Sequence, residues 1–260
     1  MIYVDVNPVA FSIGPISVSW YGIMVAVAVI TLVIWALLSA KKDPRLSYDL
    51  VVNAALVGIP SGVIFSRLLH VVDMWDYYSR NPGQIIGGEG LSIWGAVLGA
   101  ALGIWLFSLI SKKFSFGHLA DVISPGIILA QTIGRVGCTL NGCCYGKTTS
   151  LPWAIIYTHP NTHGPIGIPV HPTQVYEIIF NLIVFGILLL LRKRLKLDGS
   201  LFLIYLTLYS VWRLGIDFIR DGTPFLFGLH QAQVVSIVVL AVTVPLLVTR
   251  MRLEKNEAAG

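Results

Sequence analysis

Seven long apolar runs constrain this chain more than any motif within it. They lie at roughly 16–40, 48–72, 91–111, 118–134, 174–191, 199–219 and 229–249, each end placed to within several residues. Each holds about 17–25 residues, and about 20 residues of helix cross about 30 Å of hydrocarbon. In lipid every backbone polar group must be satisfied inside the chain, so only helices or closed barrels span. Barrel strands would show alternating segments of about ten residues, whereas these runs are continuous. The expectation is an all-α integral membrane protein with seven transmembrane helices. The fourth run carries the weakest signal, because Pro125 interrupts it and it closes on polar residues.

Charge supports the same class. Only 12% of residues are charged, against about 25% in a soluble domain. That density cannot cover a water-facing surface, and it excludes a disordered tail or a nucleic-acid binder. The net charge of +5 is not spread over a groove. Of 18 Lys and Arg residues, 12 fall in four clusters: Lys41, Lys42, Arg45; Lys112, Lys113; Arg192, Lys193, Arg194, Lys196; and Arg250, Arg252, Lys255. Each cluster follows an apolar run, as the positive-inside rule requires of cytoplasmic loops. Placing all four inside gives one topology, N-out and C-in. The connections 73–90, 135–173 and 220–228 then face out, and the first carries Asp73, Asp76 and Glu89 against Arg80. The reading is one polytopic membrane domain over 1–260, with a small irregular periplasmic segment at 135–173. The N-terminus lacks the basic start and small-residue cleavage site of a signal peptide, and no transporter-like repeat is visible. Gly95, Gly99 and Gly103 form an i, i+4, i+8 stripe expected to let two helices pack closely.

Ionisable groups inside apolar runs need a reason, since each costs about 2.5–3.5 kcal/mol at mid-bilayer. Tyr209, Arg213, Asp217 and Arg220 stand at i, i+4, i+8 and i+11, on one helical face. Asp217 can pair with either arginine, leaving excess positive charge suited to a lipid phosphate; an interhelical clamp without chemistry is the plainer alternative. Arg135 opens a glycine-rich stretch that includes Gly137, Asn141, Gly142 and Gly146, expected to leave the helix. Gln131 lies one turn before it. Arg67 sits late in the second run, where snorkelling is an equal alternative. Gln174, Glu177 and Asn181 share a face at the start of the fifth run. Glu177 there is either a counter-ion to an arginine or a proton acceptor.

The three cysteines, Cys138, Cys143 and Cys144, lie in this same stretch. The spacing C-x4-C-C is not a strong zinc pattern. His159, His163 and His171 follow in the same loop and keep a metal site open, beside a disulfide or plain packing.

In order along the chain, these residues resemble the bacterial prolipoprotein diacylglyceryl transferases. Ile16, Trp20, Tyr21 and Gly22 are similar to the family's first-span entrance. Ser66, Arg67 and Leu68 are similar to its small-Arg-Leu piece. Gly134, Arg135, Gly137, Asn141, Gly142 and Gly146 fit the frame of G-R-x-G-N-F-x-N-G-E-x-x-G. His171, Pro172, Thr173, Gln174, Tyr176 and Glu177 resemble H-P-[ST]-Q-x-Y-E, and Tyr209, Arg213 and Arg220 resemble its last motif.

The resemblance implies a transferase of the bacterial inner membrane, working as a monomer toward the periplasmic leaflet. It would move the sn-1,2-diacylglyceryl group of phosphatidylglycerol to the lipobox cysteine thiol of a preprolipoprotein signal peptide. Glycerol phosphate would be the other product, with no metal or cofactor. Arg135 and Arg213 would be the essential pair, stabilising the leaving group. Tyr21, Tyr209, Asn141, Gln174, Glu177 and Arg220 would shape the cavity or orient them. Arg67 and Gly146 would join Arg135, Arg213, Arg220, Asn141 and Gln174 around the phospholipid.

Three departures mark a divergent branch. Trp94 stands where the family has a His proposed as base, Cys138 where it has Asn, and Cys143 where it has Glu. The cysteines beside Arg135 are therefore expected to take part in the chemistry, Cys138 and Cys143 first, as a transient lipid carrier or redox-controlled thiol. A paralogue with another acceptor and a non-catalytic lipid-binding protein are the alternatives.

Overall fold

The computed structural model describes residues 1–14, 16–87, 90–222 and 224–257. Glu89, one of the outer-loop acids expected from the sequence, lies outside them. In chain order the elements are β1 (Ile2–Val4), β2 (Val9–Ile13), β3 (Ile16–Ser19), α1 (Trp20–Ala40), α2 (Tyr48–Asp73), α3 (Trp75–Tyr78) and α4 (Gln84–Gly87). They continue with α5 (Ile93–Ser111), α6 (Phe116–Asn141), β4 (Ile155–Tyr157), β5 (Pro169–Val170), α7 (Thr173–Leu191), α8 (Ser200–Ile216) and α9 (Gln231–Glu257).

Among the described residues, six helices are long and apolar enough to cross a membrane: α1, α2, α5, α6, α7 and α9. The seventh expected span, 199–219, is the apolar helix α8, which is shorter at 17 residues. The chain is a mostly helical, multi-pass membrane protein. It is not wholly helical, because short strands form a three-stranded and a two-stranded sheet.

Two boundaries differ from the sequence reading for physical reasons. The first helix starts at Trp20, because residues 16–19 pair antiparallel with β2, Ser12 facing Ser17 and Ile13 facing Ile16. Ile16 and Val18 alternate with Ser17 and Ser19, a period of two that suits a strand. The fourth helix does not end at Gly134. It runs through Arg135 to Asn141 and stops where Gly142 turns left-handed at φ 74°. Gly137 is a contact rather than a break: a Cβ there would stand 2.8 Å from the Met24 Cβ and 3.4 Å from the Tyr21 Cα.

The chain divides into two compact units. One comprises residues 36–119. Its α2 and α5 run antiparallel, with Gly58 meeting Ile104, Gly62 meeting Ala96 and Ser66 bonded to Ser92. The expected small-residue stripe sits in this seam. A Cβ on Gly95 would lie 2.3 Å from the Phe65 carbonyl oxygen, and one on Gly99 2.6 Å from that of Ser61.

The other unit comprises residues 1–35 and 120–260. Ile128 of α6, Val184 and Leu188 of α7, and Leu201 and Tyr205 of α8 form its buried helical core. At one end of this core the Asp121 carboxylate accepts from Gly199 N at 2.6 Å and Phe202 N at 2.8 Å, capping the start of α8. At the other end β1, β4 and β5 pair over Ile155, Tyr157 and Val170. Glu177 and Arg213 belong to that second end, since each lies beyond the core residues along its helix.

Candidate active site

Three helices deliver one polar cluster, all within the larger unit. Arg135 comes from the last turns of α6, Glu177 from the first turns of α7, and Tyr209 and Arg213 from the end of α8. Arg135 Nε lies 2.9 Å from Glu177 Oε1. Tyr209 donates its hydroxyl to the same oxygen at 3.0 Å. Arg213 stands 3.9 Å from Glu177 Oε2 and 3.2 Å from Asp217 Oδ1. Arg220 Nε reaches that Asp217 oxygen at 3.8 Å.

Three guanidinium groups therefore share two carboxylates, leaving one positive charge over. Exposure decides which sign a ligand meets. The Glu177 and Asp217 side chains are 2% exposed, against 18%, 14% and 11% for Arg135, Arg213 and Arg220. The carboxylates sit behind the cations, and the reachable face is cationic. Arg213 NH1 is buried without a hydrogen-bond partner, as are Gln174 Oε1 and both polar atoms of the Asn181 side chain. Orphaned buried groups of this kind are costly and commonly mark a place for water or ligand.

The structure brings most of the sequence-derived residues together and rearranges some. The helix carrying Tyr209 and Arg213 ends at Ile216, so Arg220 is not on it. Arg220 instead pairs with Gly146 in an isolated bridge, with Lys147 N bonded to Ile219 O at 2.8 Å. Arg220 N–H still donates to Ile216 O at 3.1 Å in the closing turn, and its guanidinium returns to Asp217. Tyr21, at the start of α1, packs across Gly137. Asn141 is the last residue of α6, its carbonyl accepting from His163. Gln174 donates to Cys143 O at 2.7 Å and to the Tyr157 hydroxyl at 3.1 Å. Arg67 belongs to the smaller unit, where its guanidinium donates to the carbonyls of Gln84, Ile85 and Gly90 and lies over the Tyr78 ring.

The cysteines converge beside this cluster. Arg135 NH1 points to Cys138 Sγ at 3.8 Å, and the three sulfurs lie within 4.8 Å of one another. Contacts from the Cys138 and Cys143 thiols, with Arg220 and Arg135 nearby, hold the Cys144 thiol below the ordinary thiol range. Burial, opposed by the Gln174 hydrogen bond, pushes the Tyr157 hydroxyl up to about 12.

Sequence reading missed two members. Tyr157 emerges only when β4 folds against Gln174. Tyr205, which donates to Gln131 at 3.1 Å, was detectable one turn before Tyr209.

The profile described as prolipoprotein diacylglyceryl transferase matches residues 8–249. A phosphatidylglycerol–prolipoprotein diacylglyceryl transferase of Dehalococcoides mccartyi is 51% identical over 256 residues, covering 98% of each chain. Proteins of that name from Clostridioides difficile and Lysinibacillus sphaericus are 38% and 37% identical, covering 88% and 93% of this chain and 90% and 91% of their own.

Proposed function

We propose from one premise, that this chain belongs to the prolipoprotein diacylglyceryl transferase family, the following activity and site. The protein is a transferase that moves the diacylglyceryl group of phosphatidylglycerol to a prolipoprotein. The acceptor is the lipobox cysteine of the signal peptide. The observation that carries the site is the cationic face of Arg135, Arg213 and Arg220 backed by buried Glu177 and Asp217.

The acceptor sulfur attacks the glycerol carbon that bears the phosphate. A carbon–sulfur bond forms as the carbon–oxygen bond to phosphate breaks, and glycerol phosphate leaves. The thiol proton is balanced by the new phosphate monoester, which gains an ionisable oxygen. Negative charge grows on that oxygen, so guanidinium groups fixed in a dry site stabilise the transition state more than the substrate. Arg213 has a free donor for this, and Arg135 is oriented by Glu177 and Tyr209. Glu177, already engaged by Arg135 and Tyr209, acts as counter-ion in this reading rather than proton acceptor. Tyr21, Asn141, Gln174 and Gly146 shape the surrounding walls. Arg67 is left to its loop.

We read the chain as a monomeric polytopic domain of the bacterial inner membrane, with seven spans, N-out and C-in. Support comes from α7: Glu177 lies in its first turns and the Arg192, Lys193, Arg194 cluster follows its end. Fifteen positions of helix, from 177 to 192, separate these by about 22 Å. A site opposite the basic ends faces the outer leaflet, with 142–173 beside it.

The test is purified protein with labelled phosphatidylglycerol and a lipobox peptide. A diacylglyceryl mass gain on the peptide cysteine supports the activity. No product from folded protein with this donor would refute it. Reporter fusions after Lys113 and after Lys196 test the orientation, which fails if either reports from outside.

A further inference from the structure

The cysteine cluster has a construction that the transfer reaction does not require. Cys138 sits in the last turn of α6, and Cys143 and Cys144 follow the helix end. The chain doubles back between them, with Cys143 N bonded to Cys138 O at 3.1 Å. Gly142 and Cys144 flank Cys143 with left-handed φ values of 74° and 63°. For a non-glycine residue such as Cys144 that conformation is strained, and persists only where surrounding structure enforces it. The enforcement is visible. Gln174 clamps the Cys143 carbonyl at 2.7 Å, and Thr173 clamps the Cys144 carbonyl at 2.6 Å. Both clamping residues open α7 and are 1% exposed.

These bonds turn the two carbonyls toward α7 and leave three sulfurs within 4.8 Å of one another. A four-coordinate zinc ion with bonds of about 2.3 Å sets its sulfurs about 3.8 Å apart. Small rotamer changes close that gap. A disulfide would need about 2.05 Å and a defined dihedral, and would leave one sulfur out. Cys143 and Cys144 also line a cavity of 370 Å³ with Tyr145, His163, Asp221 and Gly222. His163 Nδ1 lies 3.2 Å from the Asn141 carbonyl, to which it must donate. That fixes the tautomer with the lone pair on Nε2, the arrangement typical of a metal-ligating histidine.

We propose that Cys138, Cys143 and Cys144 form a three-sulfur site for a thiophilic cation of the zinc class, its fourth position facing the cavity lined by His163. Binding forms three S–metal bonds from three thiolates, each sulfur that still carries a proton releasing it to solvent, with no change of oxidation state. Three thiolates and a dication carry one negative charge, which lies against the Arg135 NH1 at Cys138. The ion would tie the end of α6 to the loop against α7, holding Arg135 and Asn141 in place. This is a structural role, independent of the identity of the lipid acceptor.

The test uses the full chain in detergent, reduced and stripped with a chelator. Cobalt(II) is the optical probe, and zinc is the competitor. The proposal expects one cobalt per chain with a thiolate-to-metal absorption band, displaced by zinc. Zinc should raise the thermal midpoint of the wild type but not of Cys144→Ser. His163→Ala, which leaves the sulfurs intact, should keep the band and weaken affinity about tenfold or shift the band. Should Cys144→Ser fail to fold, the stoichiometry and band of the wild type still decide. Cobalt bound without a thiolate band, equal binding by the Cys138→Ser, Cys143→Ser, Cys144→Ser triple variant, or a Cys–Cys disulfide in protein isolated without reductant would overturn it.

Discussion

Arg135 and Glu177 meet edge to edge, Nε to Oε1 at 2.9 Å, although they come from different helices and 42 positions apart in sequence. Glu177 also takes the Tyr209 hydroxyl and faces Arg213 at 3.9 Å. One buried carboxylate thus sets the position of both central arginines. Removing it leaves two buried cations under-compensated, a change that costs about 3–5 kcal/mol when a buried pair is broken. Glu177→Ala should lower the thermal midpoint sharply and abolish transfer. Glu177→Gln keeps the shape and a hydrogen-bond acceptor, so it should fold while losing at least about 100-fold in kcat/KM, roughly 2.7 kcal/mol of transition-state stabilisation. Wild-type turnover by Glu177→Gln would show that the carboxylate charge is not needed to hold Arg135.

Arg213 makes the sharper test of geometry against charge. Its two terminal nitrogens face different carboxylates, NH2 Asp217 at 3.2 Å and NH1 Glu177 Oε2 at 3.9 Å, so that NH1 is buried without a hydrogen-bond partner. A lysine keeps the charge but offers one ammonium in place of a planar fork. Arg213→Lys should stay folded, keep its ion pair with Asp217, and lose about 100-fold or more in turnover. Binding of short-chain phosphatidylglycerol should weaken less than turnover falls. Activity within a few-fold of wild type would mean that positive charge alone suffices.

The parts of this architecture that lipid dictates are written openly in the sequence. Six of the seven apolar runs became helices long enough to span, because nothing else satisfies their backbones in hydrocarbon. Tyr209 and Arg213 share a face as their spacing requires, since i, i+4 lies within one helix. What failed was reading local composition without its partner. Residues 16–19 look like the start of a span until β2 is found to pair with them. Gly137 looks like a helix break until Met24 is found against it. The meeting of the three sulfurs was hidden for the same reason: C-x4-C-C spans a helix end and a left-handed turn held by Thr173 and Gln174 from a later helix. Contacts set by tertiary pairing leave no periodic trace.

Close packing between α2 and α5 gives a prediction about stability alone. A Cβ added at Gly95 would sit 2.3 Å from the Phe65 carbonyl oxygen and 2.7 Å from the Ser66 Cα. These are backbone atoms, so the helices must separate to relieve the clash. Alanine gains about 1 kcal/mol in helix propensity over glycine, but overpacking costs about 1–3 kcal/mol. Gly95→Ala should therefore lower the thermal midpoint in detergent. Gly186 in α7 is the control, since a Cβ there meets nothing within 4 Å. Gly186→Ala should leave the midpoint unchanged or raise it. Equal behaviour of the two variants would sink the packing argument.

Tyr157 predicts how stability responds to alkaline pH. Its hydroxyl is buried under β5 and α7, accepts from Gln174 at 3.1 Å, and has its pKa raised to about 12 by that burial. An unfolded tyrosine ionises near 10. Between those values the folded chain holds a proton that the unfolded chain has released. The native state then binds more protons than the unfolded state, so stability falls as pH rises. The contribution is fully present below pH 10 and is lost through about pH 12. At about 1.4 kcal/mol per pKa unit the shift is worth no more than about 3 kcal/mol. Tyr157→Phe should remove the tyrosinate absorbance step near pH 12 and flatten this limb of the curve. Gln174 would keep its bond to the Cys143 carbonyl in that variant, so the loop should stay in place at neutral pH. A tyrosinate spectrum unchanged between wild type and Tyr157→Phe above pH 11 would refute the assignment.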